Sequence, residues 1–393
     1  MTMDPVSDRE EHLGRQERAR GAAAEAGLDG LVVWSQRSWH GDVTYLTAHQ
    51  ASFPQLPDSS AWSEKSASAL VLPVDGEPVL LVDTPFAPEQ LHVDDVRTEL
   101  FLPRGVARAV RDRGLDGRRL GLVGSTVLRH STALELQAQL DAQTELFPAD
   151  GILERLRLVK SAWELERLRR AAAVGVEWMR TMLEAVEPGR TEGDIVGEGL
   201  RSLASQGGYA SDVIVASGYP ARPKSRGVPS WNAERRLAGG DLVRIDAFGP
   251  VSGGYYTDFA RSTVVGGKPD DDQRAVLEAA IGLVERIAAE MRPGTTIGRL
   301  HDAGVEFLTA HGFPAHGHFE GFWPSFGHSL GLGTERPFVV AGAPEVLEPN
   351  MVLTIEIVVG TPEVGGAGFE EMLLVTEDGV EVLSAACPRR HWS

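Results

Sequence analysis

The chain has a single cysteine, Cys387, so no intrachain disulfide can form and no cysteine cage can hold a metal. No apolar run approaches the roughly 20 residues that span a bilayer, so a membrane is not an expected partner. Met1-Thr2-Met3-Asp4 and the alternating charges after it lack the apolar core of a secretory signal; the expected location is cytoplasmic. Basic residues are outnumbered, 38 against 56 acidic ones, for a formal charge of −18. Nucleic acid binds through a clustered basic face, so it too is excluded as the expected partner. No Walker-type phosphate loop is present, and Gly331-Leu332-Gly333 lacks the strand-then-helix setting of a dinucleotide site. The acid excess has an ordinary reading, a soluble surface, and a sharper one, carboxylates gathered around a cation.

What is present suits two domains. The 393 residues, 42% apolar and 24% charged, are enough for two cores. Residues 8 to 27 read as a helix. Short apolar runs follow at Gly30–Trp34, Ala69–Val74, Pro78–Val82 and Leu120–Val123, with Asp75-Gly76 as a hairpin signal between the second and third. Helical stretches near 104–113 and 131–141 alternate with them. A long helical pattern then runs from Leu153 to Val186 and stops at Pro188-Gly189. The expected fold is α/β (α+β), with domains over 1–152 and 153–393.

The second half repeats itself. Pro188-Gly189-Arg190-Thr191 opens a helix running through Leu203, and Pro293-Gly294-Thr295-Thr296 opens another running through Leu308. Strands carrying carboxylates follow each. Arg244-Ile245-Asp246 parallels Thr354-Ile355-Glu356, and Asp258 parallels Glu370. An internal duplication with a site between its halves is the physical reading.

Asp246 and Asp258 flank Gly249, Pro250, Gly253 and Gly254, so a hairpin would turn both acids toward one cavity. Glu356 lies inside the apolar run Met351–Val359, and Glu370 lies just before Leu373-Leu374-Val375. A lone acid in such a run is ordinarily an outward-facing position. Four acids in two matched pairs, with His328 in Gly327-His328-Ser329-Leu330-Gly331, carry too much negative charge for one structural zinc. They suit two divalent ions, which activate water and polarise a carbonyl. Carboxylate-rich donors favour manganese, iron or cobalt, and zinc also fits.

The order Asp, Asp, His, Glu, Glu resembles that of the pita-bread metallopeptidases: methionine aminopeptidase, aminopeptidase P, prolidase (Xaa-Pro dipeptidase) and their metal-free relative creatinase. Supporting stretches are Leu158-Val159-Lys160-Ser161, Val215-Ala216-Ser217-Gly218, Asp258-Phe259-Ala260-Arg261-Ser262 and Val375-Thr376-Glu377-Asp378-Gly379. The resemblance covers about residues 150 to 385, and the N-terminal part is similar to the creatinase and prolidase N-terminal domain. It implies a pita-bread domain with an internal pseudo-twofold repeat and a homodimer. It implies that Asp246 chelates one metal, that Asp258 and Glu370 bridge, and that His328 and Glu356 bind the other. Glu356 is then also the general base toward a metal-bridging water.

Three departures set the chain apart from that pattern. The Asp pair is spaced one residue wider, implying a bulge or a longer turn. Pro223-Lys224 stands where peptidases have a Pro-His, and Thr334-Glu335-Arg336-Pro337 stands, one residue early, where they have His-Glu-x-Pro. Lys224 and Arg336 are candidates to pair with a substrate carboxylate, with solvated loop cations as the plain alternative. His316 and His318 share a face if extended and are candidate replacements for the missing histidines, against surface or packing roles. Trp323 and Phe326 are expected to pack, and Cys387 to be inert. The resulting expectation is a hydrolase for an amide or related C–N bond, of an Xaa-Pro peptide or a specialised small molecule. A metal-dependent lyase and a non-catalytic binding protein remain as alternatives.

Overall fold

The computed structural model describes residues 7–51, 56–63, 65–83, 87, 90–218, 229–251, 253–314 and 324–393. It divides into two compact units, Met1–Arg157 and Leu158–Ser393. Among the described residues no helix is long and apolar enough to cross a membrane.

The first unit runs α1 (Asp8–Glu25), β1 (Gly30–Gln36), α2 (Gly41–Thr47), β2 (Ala67–Pro73), β3 (Val79–Val82), β4 (Asp95–Thr98), α3 (Leu102–Asp112), β5 (Arg119–Val123), α4 (His130–Gln139), β6 (Glu145–Pro148) and α5 (Asp150–Leu158). Ser7 starts α1 with a capping box: its hydroxyl accepts from Glu10 N, and the Glu10 carboxylate accepts from Ser7 N. The six strands form one mixed sheet in the order β4-β3-β2-β1-β5-β6. β2 and β3 pair antiparallel across the turn at Asp75-Gly76, where Gly76 takes a φ of 119° that a side chain resists. Val32, Trp34, Ala69, Val71 and Leu81 face Leu102, Val106 and Val110 of α3 in one apolar cluster. The short α2 and the partly exposed edge strands β4 and β6 have too few apolar positions to announce themselves in sequence.

The helical pattern over Leu153–Val186 is two helices and not one. α5 ends at Leu158, and α6 (Ala162–Glu184) restarts after Ser161, whose hydroxyl accepts from Glu164 N while the Glu164 carboxylate accepts from Ser161 N. This Ser-x-x-Glu box is a start signal inside an otherwise periodic run. Between the helices Val159 bridges to Met351 and Lys160 N donates to Asn350 O, so the break carries a β contact.

The second unit continues with α7 (Glu192–Ser205), β7 (Asp212–Ser217), β8 (Leu242–Pro250), β9 (Tyr256–Val264), α8 (Asp271–Ala288), α9 (Ile297–Ala310), β10 (Gly327–Leu330), β11 (Thr334–Phe338), β12 (Val352–Thr361), β13 (Gly365–Val375) and β14 (Val380–Val382). The duplication read from the sequence is physical. α7 and α9 are both 14 residues long, capped by Thr191 and Thr296. Each is preceded by a left-handed glycine, Gly189 at φ 86° and Gly294 at φ 90°. Those glycines donate to Leu237 O and Leu347 O at matching points before β8 and β12.

β7-β8-β9 form a three-stranded antiparallel sheet, and the other strands form a second in the order β11-β10-β12-β13-β14. The apolar run in β12 conceals an alternation. Leu353, Ile355, Ile357 and Val359 join α8 and α9 in the core, which turns Thr354, Glu356 and Val358 to the opposite face. β13 pairs with it so that Glu356 lies across from Glu370.

On the helix-facing side Arg261 is 3.0 Å from Glu371, with both side chains 1% exposed. Arg261 also donates to Glu370 O and Ala260 O, and Glu371 accepts from Ser384 and Arg389. The network ties β9, β13 and the C-terminal segment together. Arg261→Met is expected to cost up to about 3–5 kcal/mol, because it removes the fully buried counter-ion of Glu371 and leaves that carboxylate only Ser384 and the partly exposed Arg389. Urea denaturation reads this, and a midpoint unchanged from the wild type would show that the pair does not hold the unit.

Candidate metal centre

Asp246 sits on β8 opposite Ala260, and Asp258 sits on β9 opposite Phe248. The two acids are therefore diagonal neighbours on one face. The β8–β9 ladder runs unbroken from Leu242↔Val264 to Pro250↔Tyr256. The wider spacing of the pair is thus absorbed by a longer turn, closed by Val251 N donating to Tyr255 O, and not by a bulge. His328 lies on β10 opposite Thr354, which shares a face with Glu356.

These elements converge. Single donor atoms of Asp258, His328 and Glu370 all lie within 4.8 Å of one another, and all three side chains are buried. His328 Nε2 is 3.6 Å from Asp258 Oδ2 and 3.9 Å from Glu356 Oε1. Glu356 is the more open carboxylate, its side chain 19% exposed, and Asp246 is half-buried.

The electrostatics favour a cation. Burial pushes the Asp258 and Glu370 carboxyls well above the ordinary carboxylate range, and repulsion from neighbouring carboxylates adds to it. Burial raises Asp246 as well, against the pull of Arg244 and with a push from Asp212. His328 goes the other way, to about 4, because burial disfavours its charged form. A neutral ring results. Its Nδ1 is 3.0 Å from Ser329 O, and a carbonyl only accepts, so Nδ1 carries the proton. Nε2 then presents a lone pair toward two carboxylates.

The Thr354 hydroxyl lies 3.3 Å from Nε2, and its lowering effect on Glu370 is smaller than the burial and carboxylate repulsion that raise that group. Glu370 Oε1 is buried and has no hydrogen-bond partner. An imidazole held by a carbonyl and aimed at carboxylates, beside an orphaned carboxylate oxygen, is the donor set of a divalent cation. The residues fit one.

Of the further candidates, Thr334 is half-buried opposite Leu330, and Arg336 is exposed at the next outward position of β11. Glu335 between them is turned to Lys160, 3.1 Å away with both side chains nearly buried, and accepts from Leu332 N. Lys224, His316, His318 and Trp323 lie outside the described residues. Phe326 is a core residue, 2% exposed, and Cys387 is a buried thiol whose ionisation burial opposes. Sequence reasoning passed over Arg244, on the same face as Asp246 and one alternation away; a lone cation in the run Leu242–Ile245 was the available signal.

Comparison with known proteins decides the family. The model of metallopeptidase family M24 matches residues 166–377. The chain belongs to that family. The creatinase/prolidase N-terminal domain model matches residues 15–159, so the fold is that N-terminal domain followed by the pita-bread domain of M24 enzymes. The chain is 31% identical to the probable dipeptidase PepE of Mycobacterium tuberculosis, over 95% of this chain and 94% of that one. It is 30% identical to the Xaa-Pro dipeptidase of Pyrococcus furiosus over 60% of this chain and 65% of that one. The crystal structure of dipeptidase PepE from Mycobacterium ulcerans superposes with a TM-score of 0.76 at 26% identity, covering 96% of this chain and 97% of that one. This M24 chain is accordingly a metal-dependent hydrolase of peptide bonds.

The raised Glu370 carboxyl has a measurable consequence. Its ordinary value is 4.5 and its folded value is higher. Between the two the native state keeps a proton that the unfolded chain releases, so metal-free stability falls as pH rises through that window. Glu370→Gln has no proton to release and so lacks this pH dependence. The metal-free variant is expected to gain melting temperature on metal-free wild type as pH rises above 4.5. A difference independent of pH would show that Glu370 ionises as freely in the fold as out of it.

Proposed function

We propose that this M24 enzyme is a dinuclear-metal hydrolase cleaving the amide bond of short peptides, with Xaa-Pro dipeptides as the first substrate class to test. The observation that carries the reading is the orphaned, buried Glu370 oxygen beside Asp258 and the unprotonated Nε2 of His328. Burying those groups together is unfavourable without a cation. The names of the relatives, dipeptidase and Xaa-Pro dipeptidase, support short peptides as substrates.

In this reading Asp246, Asp258, His328, Glu356 and Glu370 would together hold the two ions. When bound, the ions polarise the scissile carbonyl and acidify the attacking water. Glu356, the most open of the carboxylates paired with His328, takes the proton from that water and returns it to the leaving nitrogen. The water oxygen adds to the carbonyl carbon first, and the C–N bond breaks when the carbonyl re-forms, the protonated nitrogen leaving as a neutral amine. His328 keeps its orientation through Ser329 O, with the Thr354 hydroxyl against its ring. Thr334 and Arg336 on β11, with Lys224, His316 and His318, are the proposed substrate contacts.

Metal analysis of the purified chain is expected to find about two divalent ions, with loss in Asp258→Asn. Glu356→Gln is expected to lower kcat by about 10²–10⁴-fold, beyond any loss of metal. Cleavage in water labelled with heavy oxygen should place the label in the product acid. Unlabelled product would point to a lyase, and a chain without metal or turnover would overturn the reading.

A further inference from the structure

Arg244 occupies an unusual place. It lies on β8 two residues before Asp246, opposite Ala216 on one side and Ser262 on the other, so it shares the face that carries the acids. Its stem crosses β9. A Cβ built on Gly368 of β13 would come within 2.7 Å of Arg244 Cδ and 3.0 Å of Cγ. The absence of a side chain at Gly368 is what lets the arginine lie there. The crossing is fixed underneath, because Ser262 Oγ accepts from Gly368 N at 2.8 Å and donates to Gly368 O at 2.9 Å.

Gly368 is two residues before Glu370, and its partner Val358 is two residues after Glu356. Arg244, Ser262, Gly368 and Val358 therefore form a row parallel to the row of acids, one two-residue step away along the strands. That step is about 7 Å. The row is otherwise small and uncharged, and Arg244 and Val358 are only half-buried. One peptide residue spans about 3.5 Å, and a guanidinium–carboxylate contact adds about 2.8 Å. A C-terminal carboxylate one residue beyond a carbonyl held at the acids thus falls within reach of this row.

We infer that Arg244 is a specificity residue that binds the free C-terminal carboxylate of the substrate, in space opened by Gly368. The proposal rests on the peptide-hydrolase reading for the identity of the substrate. A planar guanidinium with five donors serves Asp246 and a substrate carboxylate together. It rewards a dipeptide over a longer or amidated chain. A role confined to neutralising Asp246 would be a positioning role, with different consequences.

The test uses the full metal-loaded chain and two probes, L-proline and L-prolinamide, titrated at equilibrium, so that turnover is not needed. Wild type is expected to bind proline more tightly than prolinamide. Arg244→Met should weaken proline by about 10- to 100-fold, the range for a lost charged hydrogen bond, while leaving prolinamide binding and metal content unchanged. Arg244→Lys should recover part of the loss. Gly368→Ala, which drives a methyl into the arginine stem, should reproduce a smaller loss with Arg244 intact. A wild type without preference, or an Arg244→Met that weakens both probes alike or sheds metal, overturns the inference. Assays with alanyl-proline separate the two readings. Proline selectivity that depends on Arg244 without any cleavage leaves the anchor standing and removes the hydrolase. Cleavage with selectivity intact in Arg244→Met does the reverse.

Discussion

Carboxylates that repel one another, placed where water cannot screen them, dominate the physics of the second unit. Asp258 and Glu370 are both nearly inaccessible, 4% and 2% exposed, and they share their space with an imidazole lone pair. Left to themselves they would hold protons, and burial drives both toward the neutral form. A divalent cation reverses that preference and converts mutual repulsion into shared attraction. The hydrogen bond of His328 to Ser329 O and the orphaned oxygen of Glu370 are arranged for that second state.

The scaffold delivers these groups by repeating one device. In each half a capped 14-residue helix follows a left-handed glycine and leads into an antiparallel strand pair with an acid on each strand. The copies differ in register. Asp246 and Asp258 are diagonal, whereas Glu356 and Glu370 face each other directly. The halves are joined along β9 and β13, on one face through Ser262 with Gly368 and on the other through Arg261 with Glu371. One contact line therefore sets the relation between the two pairs of acids and carries Arg244 across to Gly368.

Much of this was legible in the residues. The Pro-Gly-x-Thr repeats marked real helix starts because a left-handed glycine and a threonine cap are local requirements, met by a few neighbouring residues. The five charged positions stood out because acids and an imidazole are costly in apolar strands. The break between α5 and α6 does not interrupt the apolar period; the Ser161–Glu164 box is its one local signal, and the backbone contacts to Asn350 and Met351 that occupy the break come from far away in the chain. Arg244 was missed for the same kind of reason. Its neighbour is Gly368, and nothing local relates the two.

The sequence by itself pointed to the family and the element types around the site, and it supplied the five residues proposed to hold metal, since each depends on short spacing and side-chain chemistry. Tertiary structure alone decided that the wider Asp spacing goes into the turn, that Glu335 is turned to Lys160 and that a glycine on β13 makes room for an arginine from β8. The physical reason is range. Caps, periodicity and ligand chemistry act over a few residues, whereas strand register and the close approach of two sheets are settled only when distant segments pack.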